Sequence, residues 1–259
     1  MAYLNVTEIG SALSALASTY PLFCRLITLP HTTYEGRSRY ALRLGNAPAA
    51  SRDGVLIVGN LHAREWGSAD IAINFASDLL EAYTANLGLV YGGKSFTAAQ
   101  VKAIIEGLNV FVFPCANPDG RHHSQTVDSM WRRNRNPAES GGRCGHQRQP
   151  LRLRLPDLPG RIRWLMDVHS YSELVMYPWG DDEDQTATPS MNFTNPVYNV
   201  LRGIEADTAY KEYIPAAELT LFQAVTKRVH DAIEAVRGKT YTAQQSYSLY
   251  PTSGCSDDY

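Results

Sequence analysis

Residues 55–66 read Val-Leu-Ile-Val-Gly-Asn-Leu-His-Ala-Arg-Glu-Trp. Val55 to Val58 form a short, continuous apolar run after Asp53-Gly54, which predicts a strand buried on both faces, and Gly59-Asn60 ends it. Beyond the break, Ser68 is placed to cap a helix whose apolar residues Ile71, Phe75, Ala76, Leu79 and Tyr83 recur at helical spacing. His62 and Glu65 therefore fall in a strand-to-helix turn.

Two further segments share the character of Val55–Val58. Asn109 to Phe113 predicts a second buried strand, followed by a loop from Pro114 to Gly120, and Trp164 to Val168 predicts a third that runs directly into His169. His62, Glu65 and His169 each lie just past the carboxyl end of a strand. Open α/β sheets bind ligands at that edge, so residues far apart in sequence can converge there. Two imidazoles and one carboxylate are a ligand set for a Zn2+ ion that keeps a coordination position free, and an open zinc activates water. The set implies a hydrolase with a zinc cofactor.

Working outward, Val6 to Tyr20 carries Ile9, Leu13 and Leu16 on one helical face until Pro21 stops the pattern, and Phe23–Leu29 with Tyr40–Leu44 predicts a hairpin at a sheet edge. Downstream, Val175–Tyr177 predicts another strand. Leu219 to Val236 predicts an amphipathic helix with Phe222, Val225, Val229, Ile233 and Val236 on one face, ended by Gly238. The tyrosine-rich segment Tyr241–Tyr259 reads as strand plus surface loop. With 259 residues, 44% of them hydrophobic, the chain can build its core as one domain spanning 1–259.

The formal net charge of −2 gives no reason to expect nucleic acid or an anionic membrane as partner. Residues 121–163 hold ten arginines against three acidic residues, but without the aromatic interleaving or module of a nucleic-acid surface. No run approaches the roughly 20 apolar residues of a membrane span, and the first residues lack the layout of a signal peptide, so a cytoplasmic location is the default and the compartment stays open. Cys24, Cys115, Cys144 and Cys255 are widely spaced with no Cys-x-x-Cys pair, which argues against a cysteine zinc site and for buried thiols.

His-Ala-Arg-Glu at 62–65, Asn-Pro-Asp-Gly at 117–120, Trp-Arg-Arg-Asn-Arg at 131–135, His-Ser-Tyr-Ser at 169–172, Tyr-Pro-Trp-Gly at 177–180 and Leu-Tyr-Pro-Thr-Ser-Gly at 249–254 follow one another along most of the chain. Together they resemble the zinc carboxypeptidases related to carboxypeptidases A, B and T. The resemblance implies a three-layer α/β/α sandwich around a mixed, twisted sheet of about eight strands. It also implies a single zinc, a monomer, and removal of single residues from peptide or protein C-termini. Under it, His62, Glu65 and His169 are the metal ligands. Arg132 matches the arginine that polarises the scissile carbonyl and stabilises the tetrahedral oxyanion. Arg64 and Tyr171 correspond to walls of the substrate groove, and Tyr250 to the mobile tyrosine that closes over the substrate's last residue. Asp257 falls at the floor of the specificity pocket, where a carboxylate favours a C-terminal Lys or Arg, with Asp258 beside it.

The chain departs from the family pattern in two places. The family's general-base glutamate follows the tyrosine loop on a later strand, and the sequence as given stops at Tyr259, so the C-terminal part of the fold is expected to be missing. Without that base, turnover is expected to fall by roughly 10² to 10⁴. Between Cys144 and Trp164 the Asn-Arg pair that grips the substrate carboxylate is not found. Residues 144–163 instead alternate arginine, leucine and proline, with Arg152 and Arg154 as unassigned substitutes, which suggests an internal deletion or a change of reading frame. Two other readings stay open: a zinc amidohydrolase acting on N-acylated amino acids, and a peptide-binding remnant of the same fold without turnover.

Overall fold

A computed structural model describes residues 3–46, 52–139, 162–204 and 206–252. Two compact units divide the chain, one of residues 1–90 and 95–171, the other of 91–94 and 172–259.

The first unit opens with α1 (Val6–Thr19), which starts where it does because Asn5 accepts from the backbone N–H of Thr7 and Glu8 while Glu8 reaches back to Asn5 N. Then come β1 (Cys24–Thr28), β2 (Tyr40–Leu44), β3 (Gly54–Gly59), α2 (Gly67–Ala85), the short hairpin β4 (Leu89–Tyr91) and β5 (Lys94–Phe96), whose residues 91–94 are counted with the second unit, and α3 (Ala98–Gly107). The unit continues with β6 (Asn109–Phe113), α4 (Pro118–Thr126) and β7 (Ile162–Val168). The main sheet has the order β1-β2-β6-β3-β7. β1, β2 and β6 pair antiparallel, whereas β3 runs parallel to both β6 and β7, so the sheet is mixed. From β3 the chain returns to the sheet as β6 on one side and later as β7 on the other. Strand order thus reverses at β3, and in open α/β sheets ligands bind beyond the carboxyl ends at such a reversal.

One sheet face presents Leu42, Leu44, Ile57, Val110 and Val112 to Ile9 and Leu13 of α1, to Ala72, Ala76, Leu79 and Leu80 of α2, and to Val101 and Ile105 of α3. The opposite face gathers Ile27, Ala41, Leu56, Val58, Phe111 and Phe113 in a second cluster. The split follows from period-two alternation along each strand. Cys24 and Cys115 are buried and unbridged, and burial pushes both thiols up to about 12, which leaves them unreactive.

Several expectations change on inspection of this unit. The sheet carries five strands among the described residues, not about eight; β7 is hydrogen-bonded to β3 along one edge only, and the strand Leu174–Tyr177 pairs with Thr242–Gln245 instead. Ser68 lies inside α2, not at its cap, because Trp66 takes the N-cap position and the Ser68 hydroxyl is held by the preceding turn. Ile71 points outward at 57% exposure, since Ala69, Ala72 and Ala76 form the buried stripe and let the helix lie close to the sheet. Asn-Pro-Asp-Gly at 117–120 is the first turn of α4 and not a loop: Asn117 Oδ1 accepts from Gly120 N at 2.9 Å, and Pro118 sits where its missing N–H costs nothing.

The second unit contains β8 (Leu174–Tyr177), β9 (Asp184–Gln185), β10 (Glu212–Tyr213), α5 (Ala216–Arg237) and β11 (Thr242–Gln245). β8 and β11 pair parallel from Leu174 opposite Thr242 to Tyr177 opposite Gln245, and α5 packs on both. Gly238, at φ 67°, ends α5 in the left-handed conformation that glycine adopts without steric cost. No helix among the described residues is long and apolar enough to cross a membrane.

Acidic side chains crowd the interior of this unit. Asp181, Asp182 and Glu212 are 9%, 2% and 1% exposed, and the Tyr210 hydroxyl donates to Glu212. Burial, reinforced by neighbouring carboxylates, raises Asp181 and Asp182 to about 6 and Asp184 to about 7, and burial alone, against the hydrogen bonds it receives, raises Glu212. An acid whose folded pKa is raised binds its proton more tightly in the native state, so its stabilising effect is complete below the unfolded value and is lost as pH climbs through the folded one. The thermal midpoint of this unit is therefore expected to be higher at pH 5 than at pH 7.5, and Asp184→Asn should narrow the gap. A midpoint that rises with pH, followed by circular dichroism, would count against this account.

Candidate metal centre

The site is assembled at the carboxyl ends of β3 and β7. Asn60 follows β3 with φ of 54°, a left-handed conformation that asparagine tolerates, and swings the chain out of the sheet. Its side chain then fills the turn it has begun: Nδ2 donates to His62 O at 2.9 Å and reaches Glu65 O at 3.3 Å. Ser68 Oγ accepts from Asn60 N and donates to Glu65 O, each at 2.8 Å. Asn60 and Ser68 are both 0% exposed, so this turn is braced from within. Gly59 must be glycine, since a Cβ there would lie 2.9 Å from Ser68 O and 3.0 Å from Pro114 O.

The segment carrying Arg132 is tied to the same turn. Ala63 N, between the two candidate ligands, donates to Arg132 O at 2.9 Å. Asn117 Nδ2 donates to Leu61 O at 3.2 Å and to Arg133 O at 3.1 Å, joining both segments to the start of α4. Gly120 is forced by this packing, because a Cβ would come within 2.6 Å of Arg133 O. Ser124 Oγ accepts from Trp66 Nε1 at 2.7 Å and donates to Ala63 O at 2.9 Å. Trp131 lies edge-on to His123 and under the Arg135 guanidinium, 4.7 Å from its ring centre.

His62, Glu65 and His169 converge as the sequence implies. His62 Nδ1 lies 2.9 Å from Glu65 Oε1, and His169 Nδ1 lies 2.9 Å from both Glu65 Oε2 and His62 Nδ1. One donor atom from each residue falls within 4.8 Å of the others, and no further such group of metal-ligating side chains occurs among the described residues. Ser170 N steadies the carboxylate at 3.2 Å. Two imidazole nitrogens and a carboxylate facing one point make a donor set that fits zinc.

Two of the three donors already hold the charge state that ligation needs. At His169 burial is outweighed by the carboxylates of Asp167 and Glu65, which lift it to about 10, so its ring must give up a proton to bind a metal. Burial alone would raise Glu65, but hydrogen bonds from His169 and His62 reverse this and hold its carboxyl at about 2, so it is ionised at any ordinary pH. Burial pulls His62 below its ordinary value, which favours the neutral, ligating form. Arg132 Nη2 lies 3.5 Å from His62 Nδ1, which puts its positive charge beside the ligands.

Arg64 Nη1 is 3.4 Å from Met130 O, and Tyr171 is 82% exposed. Tyr250 belongs to the second unit and is 46% exposed. Asp257, Asp258, Arg152, Arg154, Cys144 and Cys255 lie outside the described residues. Sequence reasoning passed over Asn60, Asn117, Ser124 and Asp167. The last could have been noticed as the one carboxylate in the otherwise apolar Trp-Leu-Met-Asp-Val run before His169.

This chain belongs to the zinc carboxypeptidase family, whose model matches residues 9–147 and 154–259. The interruption falls inside the 144–163 stretch that departs from the family pattern. Carboxypeptidase B of Astacus astacus is 25% identical over 292 residues, a match covering 99% of this chain and 81% of that protein. A protein of Ajellomyces dermatitidis named an inactive metallocarboxypeptidase is 33% identical over 136 residues, covering 51% of this chain and 21% of its own. The crystal structure of carboxypeptidase A from Helicoverpa armigera superposes with a TM-score of 0.70 at 19% identity, covering 99% of this chain and 61% of that one. That likeness establishes the α/β fold with its mixed sheet.

Proposed function

We propose that this chain is a metallocarboxypeptidase domain, with one zinc held by His62, Glu65 and His169, that hydrolyses the last bond of a peptide. The observation that supports it best is the meeting of three ligating side chains at the sheet's switch point with Arg132 beside them. Zinc supplies Lewis acidity, which lowers the pKa of water and polarises a carbonyl. The protein's part is positional and electrostatic. Glu65 and the two histidines are presented by braced main chain, and Arg132 offers a fixed positive charge where an oxyanion develops, an effect worth roughly 3 to 4 kcal/mol. In this reading Arg64 and Tyr171 wall the groove, Tyr250 closes over the terminal residue, and Asp257 is the candidate for the specificity pocket.

The test is release of a C-terminal amino acid from a blocked dipeptide, assayed with and without a chelator and beside an N-acylated amino acid. Chelator-sensitive release from the dipeptide is expected, and Arg132→Met should lower kcat by roughly 10² to 10³ without changing zinc content. Preference for the N-acylated amino acid would favour an amidohydrolase. Peptide binding without hydrolysis at saturating zinc would favour a non-catalytic remnant, an outcome for which the Ajellomyces protein's name gives precedent.

A further inference from the structure

We propose that Asp167 is a positioning residue that fixes the His169 ring in the orientation and tautomer a metal requires. The inference rests on the metal-site reading above and concerns how one of its ligands is held. Asp167 is the penultimate residue of β7, and side chains two apart on an extended strand project to the same side, so 167 and 169 meet without a turn between them. Asp167 Oδ2 lies 3.0 Å from His169 Nε2, and the Asp167 side chain is only 10% exposed. The opposite ring nitrogen, Nδ1, faces Glu65 and His62 at 2.9 Å.

An ionised carboxylate accepts hydrogen bonds and cannot donate one. With Asp167 on Nε2, that nitrogen keeps its proton, so the nitrogen that gives up a proton to a metal is Nδ1, which faces Glu65 and His62. The carboxylate also limits rotation of the ring about its bond to the backbone. Asp167 is itself well anchored: it stands opposite Val58 in the β3–β7 register, on the strand pair whose ends carry all three ligands. A carboxylate behind a ligating imidazole raises the basicity of the donor nitrogen, and its loss commonly weakens metal binding about 10- to 100-fold.

The experiment measures zinc affinity of the full chain by competition with a fluorescent chelator for wild type, Asp167→Asn and Asp167→Ala. Asparagine keeps an acceptor oxygen and loses the charge, and alanine loses both. The expected order of affinity is wild type, then Asn, then Ala, with the alanine variant about 10- to 100-fold weaker than wild type. In zinc-loaded wild type, nitrogen-15 imidazole spectra should show a slowly exchanging His169 Nε2–H that is missing from the alanine variant. A purely structural role would lower the thermal midpoint of the chelated protein and leave zinc affinity and this signal untouched. Alanine binding within about twofold of wild type would overturn the inference, as would absence of the Nε2–H signal in wild type, a measurement that needs no variant to fold. If wild type takes up no zinc, the metal-site reading itself fails and this inference falls with it.

Discussion

His169→Ala is expected to weaken zinc binding by more than ~100-fold and to remove chelator-sensitive hydrolysis, since losing even an outer partner of a ligating histidine commonly costs about 10- to 100-fold and this change removes a ligand. The unsubstituted chain should show a second signature in the same titration. Burial disfavours a charged His169, but the carboxylates of Asp167 and Glu65 outweigh it and lift the imidazole to about 10. The ring is then protonated at neutral pH, and metal uptake must expel about one proton. Glu65, held at about 2, and His62, pulled below its ordinary value, add no further proton there. The sign follows: apparent affinity rises about tenfold per pH unit from 7 toward 9 and falls on acidification. Calorimetry in buffers of different ionisation enthalpy reads the proton directly. Uptake indifferent to both pH and buffer would show that the site does not work this way.

Arg121→Leu carries the largest expected stability cost, about 3 to 5 kcal/mol, because it strips a buried cation from partners that stay behind. Arg121 is 0% exposed. Its Nε donates to Leu4 O and its Nη1 to Trp66 O, each at 3.0 Å, and Nη2 reaches Asp70 Oδ2 at 3.3 Å. One guanidinium thus joins α4, the residue before α1's cap, and the first turn of α2. Leucine would leave two carbonyls and a carboxylate without these donors, and burial of such orphaned groups is what makes the loss large. Arg121→Lys should recover only part of the stability, because an ammonium cannot match the planar fork. Urea unfolding followed by tryptophan fluorescence, to which Trp66 beside the arginine contributes, is a direct measure. A cost below about 1 kcal/mol for leucine would mean that these bonds exchange freely with water.

Much of this site was legible in the sequence because strands buried on both faces announce themselves, although β7, expected to be one of them, has no buried residue and leaves Leu165 and Met166 37% and 44% exposed among the described residues, with a partner strand on one edge only. Asn109–Phe113 emerges with the bounds expected of it, and all five of its residues are buried. The ends of β3 and β7 mark the sheet edge where His62, Glu65 and His169 meet, and a zinc ligand set needs only that shared edge to be proposed. α4 was not legible, because Asn-Pro-Asp-Gly has turn chemistry in any local reading. What makes Asn117 a cap is Arg133 O and Leu61 O lying within reach of its amide, a tertiary fact. α3 escaped notice because Val101 and Ile105 alone carry its buried face. Asp167 was hidden by the apolar run around it, which predicts the strand correctly and says nothing of a carboxylate turned toward a histidine.

The bond from Ala63 N to Arg132 O has an evolutionary corollary. Both of its atoms belong to the main chain, so only proline at 63, which lacks the N–H, deletes it directly. The spacing between the turn that carries His62 and Glu65 and the segment that carries Arg132 is thereby shielded from most side-chain substitutions. Side chains along both segments can therefore change, and with them the groove they line, without breaking that tie.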